Sequence, residues 1–275
     1  MSTLPKSLGK LTNLTYLNLL YNPVIFLPET IKNLTNLTEL YIASNANQEL
    51  NPFPESISLL TNLRKLGLIC CNFKLKKLPE KFRNLTNLTE LSFTGNNLTS
   101  PPSFLANFTN LSALSLSHNL ITNIPNFLGN LSNLTVLTLD GNQLNYLPDC
   151  LGNLTNLTKL YLNENQLTHL PESLGNLTNL TELYLNHNQL KNLPKSLENL
   201  SNLKIFNFYN NQLTPRSEPI SKLSNLIRVN DLEIPKEYQG IPLGEYPDSL
   251  LLKLEANKEI YSYSNIKAIA TLYPR

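Results

Sequence analysis

The sequence predicts an α/β repeat solenoid: a curved horseshoe with a parallel β-sheet of about ten strands on its concave side and short helices or 3₁₀ turns on its convex side. Three observations carry this. The pattern Leu-x-x-Leu-x-Leu-x-x-Asn-x-Leu-x-x-Leu-Pro-x-x-Leu-x-x-Leu recurs every 23 residues, seen cleanly from Leu157 to Leu177 and again from Leu180. Its first half alternates apolar and polar, the period of a strand with one buried face. Its second half opens on Pro and spaces its leucines by three, as a short helical return does. A unit of this length cannot bury its apolar face alone, so units must stack.

The strand-leading leucines fall at Leu14, Leu37, Leu63, Leu88, Leu111, Leu134, Leu157, Leu180, Leu203 and Leu226. Two units are longer, with insertions near 46–49 and 72–74, both after the strand, where loops accept extra residues. The Asn that ends each strand carries donors and an acceptor for the backbone groups of the bend. That column reads Asn22, Asn45, Cys71, Asn96, Asn119, Asn142, Asn165, Asn188 and Asn211. Cys71 is expected to weaken its unit, because a thiol is the poorer donor. The return segment begins at Pro28, Pro79, Pro148, Pro171 and Pro194, followed by Glu29, Glu80, Asp149 and Glu172, where negative charge suits a helix start.

These residues resemble the leucine-rich repeat family, in its 23-residue Leu-Pro form, similar to the repeats of Scribble-type, plant Ras-group-related and bacterial intracellular proteins. The resemblance covers about residues 4–226. It implies a partner-binding scaffold without enzymatic activity.

Three divisions are expected: 1–13 as an N-terminal half-repeat or crude cap, 14–225 as the array of about nine units, and 226–275 as a degenerate last repeat, a cap and a short helical tail. Pro247-Asp248-Ser249 reads as one helix start, and 264–271 as a second short helix. The capless start and the tail leave open that the chain is a fragment, or the targeting arm of a larger enzyme or regulator, linked to a GTPase or a ubiquitin ligase.

The net charge of +2, with basic residues scattered, argues against nucleic acid, and no apolar run is long enough to insert in a membrane. Three cysteines, Cys70, Cys71 and Cys150, with no cysteine-rich cap, point to a reducing compartment and hence a cytoplasmic protein, a monomer. Fifteen Asn-x-Ser/Thr sequons arise from the repeated Asn-Leu-Thr-Asn-Leu-Thr and carry no argument for secretion.

No phosphate loop, paired Cys-x-x-Cys or His-Glu-x-x-His occurs, so no catalytic residue, metal site or cofactor is expected. His118, His169 and His187 read as solvated loop residues; His118 and His187 share a column about 14 Å apart, three strand spacings of about 4.8 Å. Function is therefore sought where the units differ, at the third, fifth, seventh and eighth positions, which line the concave face. The early strands offer Tyr16 and Tyr41, and the later ones Tyr161, Tyr184 and Tyr209 among Lys159, Glu164, Glu182 and His187. Tyrosine gives large contact area at low entropic cost, so these residues are expected to hold a protein partner. Cross-strand pairing of Lys159 with Glu182, and stacking of Tyr161 on Tyr184, would account for the same residues as scaffold.

Overall fold

The computed structural model describes residues 2–20, 22, 24–43, 55–71, 79–213, 221–230, 232–242 and 245. The expected insertions near 46–49 and 72–74, and the expected helices at 247–254 and 264–271, lie outside them. The chain divides into two compact units, Met1–Leu134 and Thr135–Arg275.

In the first unit, β1 (Ser2–Thr3) pairs with β3 (Val24–Phe26) in a two-stranded parallel ribbon. The main sheet is parallel and follows chain order: β2 (Tyr16–Leu19), β4 (Glu39–Ala43), β5 (Lys65–Ile69), β6 (Glu90–Ser92) and β7 (Ala113–Ser115). Leu17, Leu40, Leu66, Leu91 and Leu114 lie in register across it. The second unit repeats the plan with β8 (Val136–Thr138), β9 (Lys159–Tyr161), β10 (Glu182–Tyr184), β11 (Ile205–Asn207) and β12 (Arg228–Val229). There β13 (Leu232–Glu233) turns back antiparallel on β12.

Nine five-residue 3₁₀ turns are described on the return segments, such as Glu80–Asn84 and Glu172–Asn176, so the expected convex elements are 3₁₀ turns rather than α-helices among the described residues. The Pro before a turn fixes its entry, standing extended at Pro28 and Pro171. These turns stack closely enough to require glycine: a Cβ on Gly152 would lie 2.4 Å from the Ser173 carbonyl oxygen, and one on Gly175 2.3 Å from that of Ser196. Between turns and sheet lies a leucine core; Leu137, Leu139, Leu180 and Leu183 are fully buried, each stabilising by about 1.5–3 kcal/mol. Phe206 fills the leucine place in β11 and is equally buried. The first repeat is less covered, with Leu11 54 % exposed.

Two asparagine ladders tie repeat to repeat. In the inner one, Asn119 donates to the carbonyls of Phe93, Leu116 and Ser117 at 2.9–3.1 Å, and accepts from the amides of Asn96 and Leu98. In the second unit Asn165 and Asn188 likewise donate to three carbonyls each, and accept from the amides of Leu144 and Leu167. Cys71 keeps a reduced version, its Sγ 3.3 Å from the Ile69 carbonyl and 3.6 Å from that of Ile42, with one proton to serve both. The outer ladder was not expected. Asn87, Asn110, Asn133 and Asn179 each donate to a threonine carbonyl one repeat back, at 2.8–3.0 Å. The hydroxyls of Thr89, Ser112, Thr158 and Thr181 bond back in the same way. This gives the Asn-Leu-Thr sequence a physical cause: it joins units through their backbone, so sequons are a by-product of stacking.

Candidate functional site

The leucines of each strand point to the turns, so the third, fifth and seventh positions occupy the other face of the sheet. Bonds between columns show that the fifth and seventh share it: Ser92 Oγ lies 3.0 Å from Thr94 Oγ1, which lies 2.8 Å from Ser115 Oγ. In the first unit these hydroxyls bond one another and are buried. At its early strands, Tyr16 is half exposed and its ring meets that of Tyr41 at 5.9 Å; Tyr41 is buried and donates to Glu39 at 3.1 Å. Lys65 pairs with Glu90 at 3.0 Å, and that hydrogen bond outweighs partial burial in raising its pKa.

The second unit brings most of the expected residues together. Tyr161 and Tyr184 stack with centroids 4.7 Å apart and planes 9° from parallel. The Tyr161 hydroxyl donates to Glu182 Oε2 at 2.9 Å, while Lys159 Nζ holds Glu182 Oε1 at 2.8 Å. One carboxylate thus clamps both an ammonium and a phenol across β9 and β10. Burial first, then the charge of Glu182, pushes the Tyr161 phenol far above its ordinary value.

From Cys70 onwards the eighth column adopts the left-handed region: φ is +49° at Cys70, +52° at His118, +56° at Glu164, +57° at His187 and +52° at Asn210, with glycine at Gly95 and Gly141. There the amides of Gly141, Glu164 and His187 each reach a carbonyl on the next repeat. Glycine fits this bend without strain. His187 is more than the solvated loop residue expected: its ring meets Tyr209 edge-on at 5.2 Å, and its Nδ1 lies 3.2 Å from Asn210 Nδ2. Tyr209 itself is covered, 7 % exposed. His169 is exposed and near Thr168 Oγ1, as a loop histidine should be.

Asn163 and Asn186 stand at the seventh position, and the sequence pattern alone did not single them out. They are only 5 % and 4 % exposed, and neither carboxamide has a hydrogen-bond partner among the described residues. Their polar atoms are not sealed from solvent, as Ser56 and Ser196 hydroxyls are. Reading each column for bonding partners, rather than for size and charge, would have found them.

Among the described residues no group of three or more His, Cys, Asp or Glu is placed to hold a metal ion, and no helix is long and apolar enough to cross a membrane. All three cysteines are free thiols, with burial raising that of Cys70.

A stacked repeat of this period, an asparagine ladder and a tyrosine-bearing sheet face define a class of non-globular, partner-binding scaffolds. The chain belongs to the leucine-rich repeat family: the model for the leucine-rich repeat region matches residues 2–115 and 102–264. No curated protein matches it. Among solved structures it is similar to a leucine-rich repeat protein of Leptospira interrogans, at 28 % identity and a TM-score of 0.62, over 83 % of this chain and 70 % of that one. It is also similar to an internalin of Listeria monocytogenes, at 27 % identity and a TM-score of 0.65, over 84 % and 72 %. A plant peptide hormone receptor, RGFR1 in complex with RGF2, matches at 27 % identity and a TM-score of 0.64, over 82 % of this chain and 40 % of that one.

Proposed function

We propose that the chain is a non-enzymatic recognition scaffold that binds a protein partner on the open face of its sheet, the face the sequence marks as concave. The observation carrying this is the cluster of Tyr161, Tyr184, Lys159 and Glu182, which places stacked aromatic rings in a fixed, pre-ordered geometry on that face. A rigid aromatic surface binds with little further loss of side-chain entropy. Likeness to a plant peptide hormone receptor solved in complex with RGF2 supports the same reading. Glu164, His187 and Tyr209, just after β9, β10 and β11, extend the surface, and Tyr16 and Tyr41 offer a second contact in the first unit. The free thiols suit a reducing, cytoplasmic setting for a monomeric scaffold.

Replacing Tyr161, Tyr184 and Tyr209 together by alanine tests the reading. Partner capture from native lysate, compared by mass spectrometry with the parent chain, should be lost while circular dichroism is retained. Capture of the same protein at undiminished yield would sink it.

A further inference from the structure

We propose that the open face of the second unit holds an arginine side chain of the partner, seated over Asn163 and beside Asp140 against the free face of Tyr161. This rests on the reading above and specifies its chemistry.

Three independent observations converge. The first is the pair of idle carboxamides. Asn163 and Asn186 occupy adjacent strand positions about 4.8 Å apart. Both are more than nine-tenths buried, and neither has a bonding partner among the described residues. Buried amides are nearly always satisfied, and the matching Thr94 in the first unit is bonded twice. Two carboxamides in a row therefore keep unused bonding capacity, between the tyrosine column and the column of Glu164 and His187.

The second is charge. Asp140 precedes Asn163 in the same column and is 2 % exposed. Glu164 and Glu182 flank these carboxamides, and the one lysine of the cluster, Lys159, is already held by Glu182. The site thus favours a cation that donates hydrogen bonds rather than an anion.

The third is shape. The Tyr161–Tyr184 stack uses one face of Tyr161. Its other face looks towards β8, where the neighbour in register is the small Thr138. A flat cation can lie on that face while donating to Asp140 and to the Asn163 and Asn186 carbonyl oxygens. Guanidinium is planar, carries five donors and no acceptor, and stacks on aromatic rings. A primary ammonium lacks the flat face.

The probe is the blocked peptide Gly-Gly-Arg-Gly-Gly, titrated into the isotopically labelled full chain and followed by NMR. Controls carry citrulline, the neutral isostere, or glutamate in place of arginine. The arginine peptide should move the side-chain amide signals of Asn163 and Asn186 and the ring signals of Tyr161, saturably and less at higher salt. Binding by the citrulline peptide should be at least about tenfold weaker. Asn163→Leu with Asn186→Leu should abolish the response, and Asn186→Asp should strengthen it several-fold. Absent shifts, or equal shifts with arginine and citrulline, overturn the proposal, as does a response surviving in the double leucine variant. The two readings part cleanly. If the triple tyrosine variant loses its partner while the arginine peptide leaves the parent unmoved, only the arginine site fails. If the peptide binds the parent but the triple variant captures its partner normally, the docking reading fails instead.

Discussion

Where the seventh repeat position is polar, at Thr94 in the first unit and at Asn163 and Asn186 in the second, it behaves differently in the two. In the first, Thr94 bonds Ser92 and Ser115 on its own sheet face. In the second, Asn163 and Asn186 stand equally buried with no side-chain bond among the described residues. The scaffold beneath is the same: Asn119 and Asn165 make matching inner-ladder bonds. A polar column can therefore serve the fold in one unit and leave bonding capacity for a partner in the other.

The largest effect should fall on what the units share. Asn119→Ala or Asn165→Ala removes a donor from several buried carbonyls and an acceptor from a buried amide. At about 1–3 kcal/mol for each group left unpaired, a loss of about 4 kcal/mol is expected in either unit. Urea denaturation followed by circular dichroism measures it. A loss confined to one unit would mean that the ladders are not equivalent and that the comparison has no common baseline.

The next effect should separate the units. Thr94→Val breaks two buried hydroxyl contacts and should cost about 1–2 kcal/mol. Asn163→Leu or Asn186→Leu breaks none and should change stability by less than about 0.5 kcal/mol, since removing an unbonded buried polar group relieves a desolvation cost. Equal losses at Thr94 and Asn186 would show that the carboxamides are structural.

The repeat period, the strands, the prolines and the asparagine column were legible because each is a property of residue type at fixed spacing. Stacking of Tyr161 on Tyr184 and pairing of Lys159 with Glu182 followed from adjacency within a column. Three features were not legible. The outer ladder runs through the backbone carbonyls of Thr61, Thr86 and Thr109, which no side-chain pattern displays. The left-handed eighth column is obvious at Gly95 and Gly141 but hidden at His118, Glu164 and His187, residues that rarely adopt it. Burial of Tyr41 and Tyr209 depends on neighbouring side chains covering a face that strand alternation alone marks as open.

The tyrosine cluster adds a pH dependence to the second unit. The Tyr161 phenol is raised above its ordinary 10.0 by burial and by Glu182. Its neutral form is thus favoured in the folded state. The stabilisation is complete below the unfolded value near 10 and is lost as pH rises above it towards the folded value. Tyr161→Phe should flatten the alkaline decline in melting temperature while lowering the neutral-pH value slightly through the lost bond to Glu182. An unchanged alkaline slope would remove Tyr161 as its source.

The smallest effect concerns the turns. Glu172 does not cap its own turn: its carboxylate accepts from the amides of Lys195 and Ser196, 3.3 and 3.0 Å away on the next repeat. Those bonds, led by the Ser196 amide, hold its pKa below the ordinary carboxylate value. The contribution is therefore present above that ordinary value and fades as pH falls through the lowered one. Glu80 stands at the matching place in the first unit, with Ser103 and Phe104 following at the same spacing, yet it makes no such bond among the described residues. Glu172→Gln should speed hydrogen exchange at Lys195 and Ser196 at neutral pH, by a few-fold, and Glu80→Gln should leave Ser103 and Phe104 unchanged. Because Glu172 is fully exposed, its bonds compete with water, and the effect is local ordering of one turn rather than global stability. Equal acceleration in both units would show that the difference between the two glutamates has no consequence in solution.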